Sequence, residues 1–179
     1  MIDLRKHNRL VFLDVETTGL DPAKGHRIIE IAAITMENTQ LISEFQSLVN
    51  VSYPIPLHVS KIHGITNDML ADQPKPEQVY PEVQDFISNS LLVAHNAKFD
   101  IDFLRSEFNR LNLRINNQSI CTLELSRRRY PRLPNYKLAT VYRHLIGGQP
   151  ADAKQHRALD DARMVAAIWL AMEEKTRVV

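Results

Sequence analysis

The stretch from Arg9 to Gly19, RLVFLDVETTG, constrains this chain more than any other. It is an apolar run in which two carboxylates, Asp14 and Glu16, stand two residues apart. In a β-strand alternate side chains share a face, so Asp14 and Glu16 project together while Leu13 and Val15 point the other way. Adjacent carboxylates repel and hold on to their protons unless positive charge lies between them. A divalent ion with a preference for oxygen ligands supplies that charge. Thr17, Thr18 and Gly19 end the strand in a polar turn and leave the pair where a substrate can reach it. Taken alone, a D-x-E pair reads more simply as the solvated face of a strand. The rest of the chain has to decide.

Two more apolar runs follow, Ile28 to Met36 and Leu41 to Val49, joined by the polar turn at 37–40. Three successive strands with short connections predict antiparallel pairing. Prolines make Tyr53 to Pro56 irregular. Short helical turns are expected from His58 to His63, closed by Gly64, and after Thr66, a good N-cap. Past Pro74, Pro76 and Pro81, the pattern turns helical around Glu82 to Asn89. Leu91 to Ala94 reads as a buried strand and Ile120 to Thr122 as a last short one. Helices are expected from Leu123 to Arg129 and from Leu138 to Leu145, the latter ended by Gly147 and Gly148. No repeat or low-complexity tract divides the 179 residues. One domain spanning 1–179 is expected, with its core between about 9 and 172.

Two helices carry a carboxylate on the wrong side. In the helix expected from Ala97 to Leu111, Ala97, Ile101, Leu104, Phe108 and Leu111 share an arc, and Asp100 falls inside it while Asp102 falls outside. In the helix from Ala158 to Glu173, Asp161 lies in the arc of Val165, Ile168, Trp169 and Met172, and Asp160 lies outside. A charge facing the core has to be paired or bound to metal. Helix capping is the competing explanation for either aspartate. His156 sits just before the last helix.

Composition removes several alternatives. With one cysteine, Cys121, neither a disulfide framework nor a Cys-rich zinc site is available. Asp14 interrupts the only long apolar segment, so neither a signal peptide nor a membrane span is read, and a cytoplasmic protein is expected. The net charge is +1. It is unevenly spread: Arg127, Arg128, Arg129, Arg132, Lys137, Arg143, Lys154 and Arg157 face Asp152 alone between 127 and 157. Such a face suits a phosphate backbone, and an ordinary solvated surface equally well.

Asp14, Glu16, Asp100 and Asp161 therefore need one explanation. Oxygen ligands without sulfur favour Mg2+ or Mn2+. Four carboxylates exceed the charge of one divalent ion, whereas two ions roughly 3.5–4 Å apart suit them and serve phosphodiester cleavage. His156 titrates near neutral pH and is the histidine placed to accept a proton from water.

Three segments, VFLDVETTG, LVAHNAKFDIDFL and HRALDDARMVAAIW, together resemble the exonuclease motifs of the DnaQ-like, DEDDh 3′–5′ exonucleases. This is the family of the proofreading subunits of bacterial DNA polymerase III. The motifs come in the family's order and span about Arg9 to Met172. Carried over, Asp14, Glu16, Asp100 and Asp161 match the metal-binding carboxylates. His156, five residues before Asp161, matches the general base. A tyrosine four residues before the last aspartate would mark the sister subfamily, and that position is Arg157.

The resemblance implies a ribonuclease H-like α/β fold, a mixed five-stranded sheet with helices on both faces. It implies that Thr17, Thr18 and Gly19 approach the terminal nucleotide and that His63, in an H-G-I element, packs near the terminal bases. His95 and Asn96 would line the pocket, although Gly64 also reads as a turn and Asn96 as a helix cap. Tyr130 and Tyr136 could stack on bases, but packing explains them as well. The expected function is a metal-dependent 3′–5′ exonuclease with two Mg2+ or Mn2+ ions. It would release 5′-mononucleotides from single-stranded or frayed DNA 3′ ends, in proofreading or repair. The alternatives are an RNA-directed exonuclease, since contacts to a 2′-hydroxyl are not legible in these motifs, and a non-catalytic nucleic-acid-binding subunit. The last helix leaves no room for the polymerase-binding extension of the epsilon subunit, so a bare nuclease domain is expected, whether it acts alone or docks on a DNA polymerase subunit.

Overall fold

The computed structural model of the chain describes residues 8–148 and 157–177, with side chains as far as Glu174. His156 and Lys154 lie outside the described residues. Strand β1 (Arg9–Thr17) pairs antiparallel with β2 (Ile28–Glu37), and β2 pairs antiparallel with β3 (Gln40–Leu48), as the short connections predicted. On its other edge β1 pairs parallel with β4 (Leu91–Ala94), which pairs parallel with β5 (Ser119–Cys121). The sheet order is β3-β2-β1-β4-β5, a mixed five-stranded sheet.

Alternation along β1 divides the core into two layers. Val11, Leu13 and Val15 join Ile29, Ile31 and Ala33 of β2 in a cluster completed by α3 (Pro76–Ile87) and α4 (Ala97–Arg110). Phe12 points the other way and meets Ile34, Met36, Val93 and, from α7 (Ala158–Arg177), Ala162, Val165, Ala166 and Trp169. Its ring centroid is 6.4 Å from that of Trp169. Helices thus cover both faces, the ribonuclease H-like arrangement expected. A third, smaller cluster joins Ile168 and Met172 of α7 to Val141 of α6 (Leu138–Leu145).

Several boundaries differ from those predicted. Helix α3 starts at Pro76 rather than near Glu82, because Pro76 occupies the first turn, where its missing N–H is not needed. Pro81 is then tolerated inside the helix on its exposed side, where the carbonyl it leaves unbonded can meet water. The last strand is Ser119–Cys121, displaced by one residue, since Thr122 already begins α5 (Thr122–Arg129). Helix α7 runs on to Arg177. The helical turns α1 (Leu57–His63) and α2 (Asn67–Leu70) form as expected; Gly64 closes α1 at φ 74°, and the Thr66 hydroxyl accepts the Met69 N–H at 3.3 Å. Among the described residues no helix is long and apolar enough to cross a membrane.

Candidate active site

The face of β1 that carries Phe12 also carries Asp14 and Glu16, and α7 packs on that face. Asp161, in the first turn of α7, therefore meets the strand pair from above. Carboxylate oxygens of Asp14, Glu16 and Asp161 all lie within 4.8 Å of one another. Asp161 is on the packed side of its helix, as the wheel predicted. Asp160 is turned away, 3.5 Å from Arg163.

Asp100 approaches from the opposite layer, near enough to Asp14 to raise its pKa, but stands outside the 4.8 Å group. Strand β4 pairs with β1 only from Leu10 to Phe12, so the edge of β1 beyond that point is open. The first turns of α4 fill it. Asp100 is 2% exposed, and hydrogen bonds from its own backbone N–H and that of Val15 stabilise its ionised form. Burial outweighs them and holds its pKa well above the usual carboxylate range. Asp102 instead faces solvent and pairs with Lys98 and Arg105, as its place on the wheel implied.

The electrostatics are those of crowded, buried carboxylates that resist ionisation. The Asp14 pKa is raised well above the usual range, first by burial, then by Asp100, Asp161 and Glu16. Glu16 is pushed up to about 8 by burial, Asp161 and Glu30, against the opposing pull of Arg157. An all-oxygen donor set whose members raise one another's pKa fits a hard divalent ion.

The turn after β1 forms one wall of a groove. Pairing with β2 slips at Glu16 and Thr17, a bulge that re-aims the chain. The Thr17 hydroxyl donates to the Gly19 carbonyl at 2.6 Å. Thr18 is clasped by Arg27, its N–H on the Arg27 carbonyl at 2.9 Å and its hydroxyl accepting the Arg27 N–H at 3.0 Å. Gly19 lies over the His26 ring, which accepts the Asp21 N–H at Nδ1 and stands edge-on to Tyr53. The groove, about 480 Å³, runs from Glu16 and Thr17–Gly19 past the exposed Leu20 to Ile62, His63 and Phe99.

The structure treats the other sequence-selected residues unequally. His63 lines the groove, 5% exposed, with Nδ1 accepting the Ile65 N–H at 3.0 Å. His95 does not line it. Its Nε2 lies 2.8 Å from the Tyr136 carbonyl and its Nδ1 2.9 Å from the Thr122 hydroxyl, and burial lowers its pKa. Asn96 begins α4 in the left-handed region, φ 73°, without a side-chain capping bond, and lines a separate shallow cavity of about 280 Å³. Tyr136 packs under Arg127 at 5.7 Å and bonds the Tyr130 carbonyl.

Two buried ion pairs escaped the sequence reading. Glu107, 1% exposed, takes both arms of Arg27 at 2.6 and 2.7 Å. Glu30, fully buried in β2, takes Arg157 at 2.7 Å. Glu30 stood in the run IIEIAAITM as its one charged residue, and that isolation was the available signal.

Comparison with known proteins gives a consistent picture. A family model described as exonuclease, RNase T, matches residues 11–169. A PolC-type DNA polymerase III of Caldanaerobacter subterraneus subsp. tengcongensis is 38% identical over 94% of this chain, which spans 12% of that protein. The DNA polymerase III subunit epsilon of Pasteurella multocida is 36% identical over 96% of this chain, which spans 71% of it. Among solved structures, an exonuclease X in complex with 5′ overhanging duplex DNA superposes with a TM-score of 0.75 at 30% identity, covering 93% of this chain and 92% of that one.

Proposed function

This chain belongs to the RNase T exonuclease family, the DnaQ-like group, and from that membership we propose that it removes 5′-mononucleotides from DNA 3′ ends by metal-dependent hydrolysis. The observation that carries the reading is the meeting of Asp14, Glu16 and Asp161 oxygens within 4.8 Å beside an open groove. Two Mg2+ or Mn2+ ions, held by these three with Asp100, would supply Lewis acidity at the scissile phosphate and a more acidic attacking water.

The protein's own groups bind, orient and move the proton. The turn Thr17–Gly19, its threonine hydroxyls held by the Gly19 carbonyl and the Arg27 N–H, walls the groove that receives the last nucleotide. Leu20, Ile62 and Phe99 offer apolar surface to its base and the one before it. His156, just ahead of α7 in sequence, takes the proton of the attacking water as the bond from phosphorus to the 3′ oxygen breaks. The exposed Arg127, Arg128, Arg132, Lys137 and Arg143 supply positive charge for the strand leading in. Relatives named as DNA polymerases or as a polymerase subunit favour proofreading beside a polymerase.

Strands of one sequence in DNA and in RNA, labelled at the 5′ end, test the reading in Mg2+, in Mn2+ and in chelator. A ladder shortening from the 3′ end, faster on DNA and absent in chelator, is expected. A faster RNA ladder would transfer the function to RNA. Binding without any ladder would make the protein a nucleic-acid-binding subunit.

A further inference from the structure

Asp161 contributes to the carboxylate group only if the first turn of α7 is held over the end of β1. The hydrogen bonds show what holds it. Glu30 lies opposite Glu16 in the β1–β2 register and is fully buried. Its carboxylate accepts from Arg157 Nε at 3.1 Å and Nη2 at 2.7 Å, from the backbone N–H of Ala158 at 3.1 Å and from Gln46 Nε2 at 2.8 Å. Arg157 and Ala158 open α7, and the Arg157 carbonyl accepts the N–H of Asp161 at 3.0 Å. A side chain of β2 thus does the work of an N-cap for a helix in another layer. Four donors, three of them from the start of α7 and the fourth from Gln46 of β3, occupy Glu30 although it stands next to the carboxylate group.

We propose that Glu30 and Arg157 are positioning residues: their buried ion pair sets the first turn of α7 so that Asp161 can share a divalent ion with Asp14 and Glu16. The inference rests on the exonuclease reading only through the metal. Groups that orient metal ligands from behind commonly control affinity about 10- to 100-fold. The pair Arg163–Glu44, 2.6 Å apart, also ties α7 to the sheet but is partly exposed and two residues past Asp161, so it serves as the control.

Replacing Arg157 separates positioning from simple charge. Arg157→Gln removes a positive charge beside four carboxylates. If charge alone mattered, cations would bind more tightly. If Arg157 positions Asp161, they bind more weakly in spite of the added negative field. The experiment is calorimetric titration of the whole chain with Mn2+, alongside the Mg2+ concentration for half-maximal excision and the KM for DNA. For Arg157→Gln and Glu30→Gln we expect Mn2+ affinity to fall about tenfold or more. The Mg2+ requirement should rise to match and KM for DNA should stay within about twofold. Arg157→Lys, which keeps the charge but not the fork, should recover part of the loss and carries the test if Arg157→Gln does not fold. Arg163→Gln should bind as the parent does. Unchanged or tighter Mn2+ binding in Arg157→Gln, or in Arg157→Lys if only that variant folds, overturns the inference while leaving the exonuclease reading intact. A parent chain that binds no Mn2+ overturns both.

Discussion

Gly19 and His26 are in such close contact that a Cβ on Gly19 would lie 2.6 Å from Cδ2 and Nε2 of the histidine ring. No real Cβ tolerates that distance, and the ring is not free to retreat. It holds the Asp21 N–H at 3.0 Å and stands against Tyr53. Glycine is required here by space, so that the turn can lie flat beside Glu16.

Gly19→Ala should therefore destabilise the protein by about 1–3 kcal/mol, the usual penalty of overpacking. Because the displaced turn is a wall of the groove, KM for DNA should rise severalfold. The double variant Gly19→Ala/His26→Ala should regain part of the stability, since the clash has one partner. Thermal melts and steady-state kinetics of the single and double variants decide; strictly additive losses would refute the contact as the cause.

His95 separates a structural role from a substrate-binding one. Its ring joins the end of β4 to Thr122 and to the Tyr136 carbonyl. His95→Ala takes the donor from the half-buried Tyr136 carbonyl and leaves a cavity, and should cost about 1–3 kcal/mol. Single-turnover excision per folded molecule should stay within about threefold of the parent. A loss of about a hundredfold with the melting temperature unchanged would instead put His95 at the substrate.

The raised carboxylates dictate an unusual pH dependence for the metal-free protein. Glu16 titrates near 8 in the fold against an ordinary 4.5, and Asp14 and Asp100 shift in the same direction. Between these values the folded state binds more protons than the unfolded one, so stability falls as pH rises from about 4.5 to about 8. A divalent ion binds the deprotonated group and reverses the trend. The increase in melting temperature on adding Mn2+ should be larger at about pH 8.5 than at about pH 6, and binding should release protons into the buffer. An equal increase at both pH values would show that the carboxylates are already ionised before the metal binds.

How much of this was legible in the sequence depended on the kind of signal. Period-two alternation placed Asp14 and Glu16 on one face, and helical periodicity marked Asp100 and Asp161 as carboxylates turned inward. Those signals are local and survived folding. Glu30 and Glu107 are also inward carboxylates, but their partners Arg157 and Arg27 are remote in the chain, and the pairing is created only by the fold. Likewise, nothing near His95 announced that Thr122 and Tyr136 would take both its ring nitrogens. The end of β4 explains another gap. A four-residue strand leaves β1 uncovered beyond Phe12, and only that shortfall lets Asp100 reach the backbone of Val15.

The central claim is that the carboxylates at the end of β1 carry the hydrolysis. The most direct measurement is the single-turnover excision rate of Asp14→Asn against the parent, in Mg2+, on one 5′-labelled DNA strand. The substitution keeps the shape of the side chain and removes a carboxyl group whose ionisation the metal-free fold disfavours, so that fold should melt no lower than the parent. The rate should drop at least about a thousandfold, the equivalent of roughly 4 kcal/mol of transition-state stabilisation. A rate within about tenfold of the parent would contradict the assignment of the site.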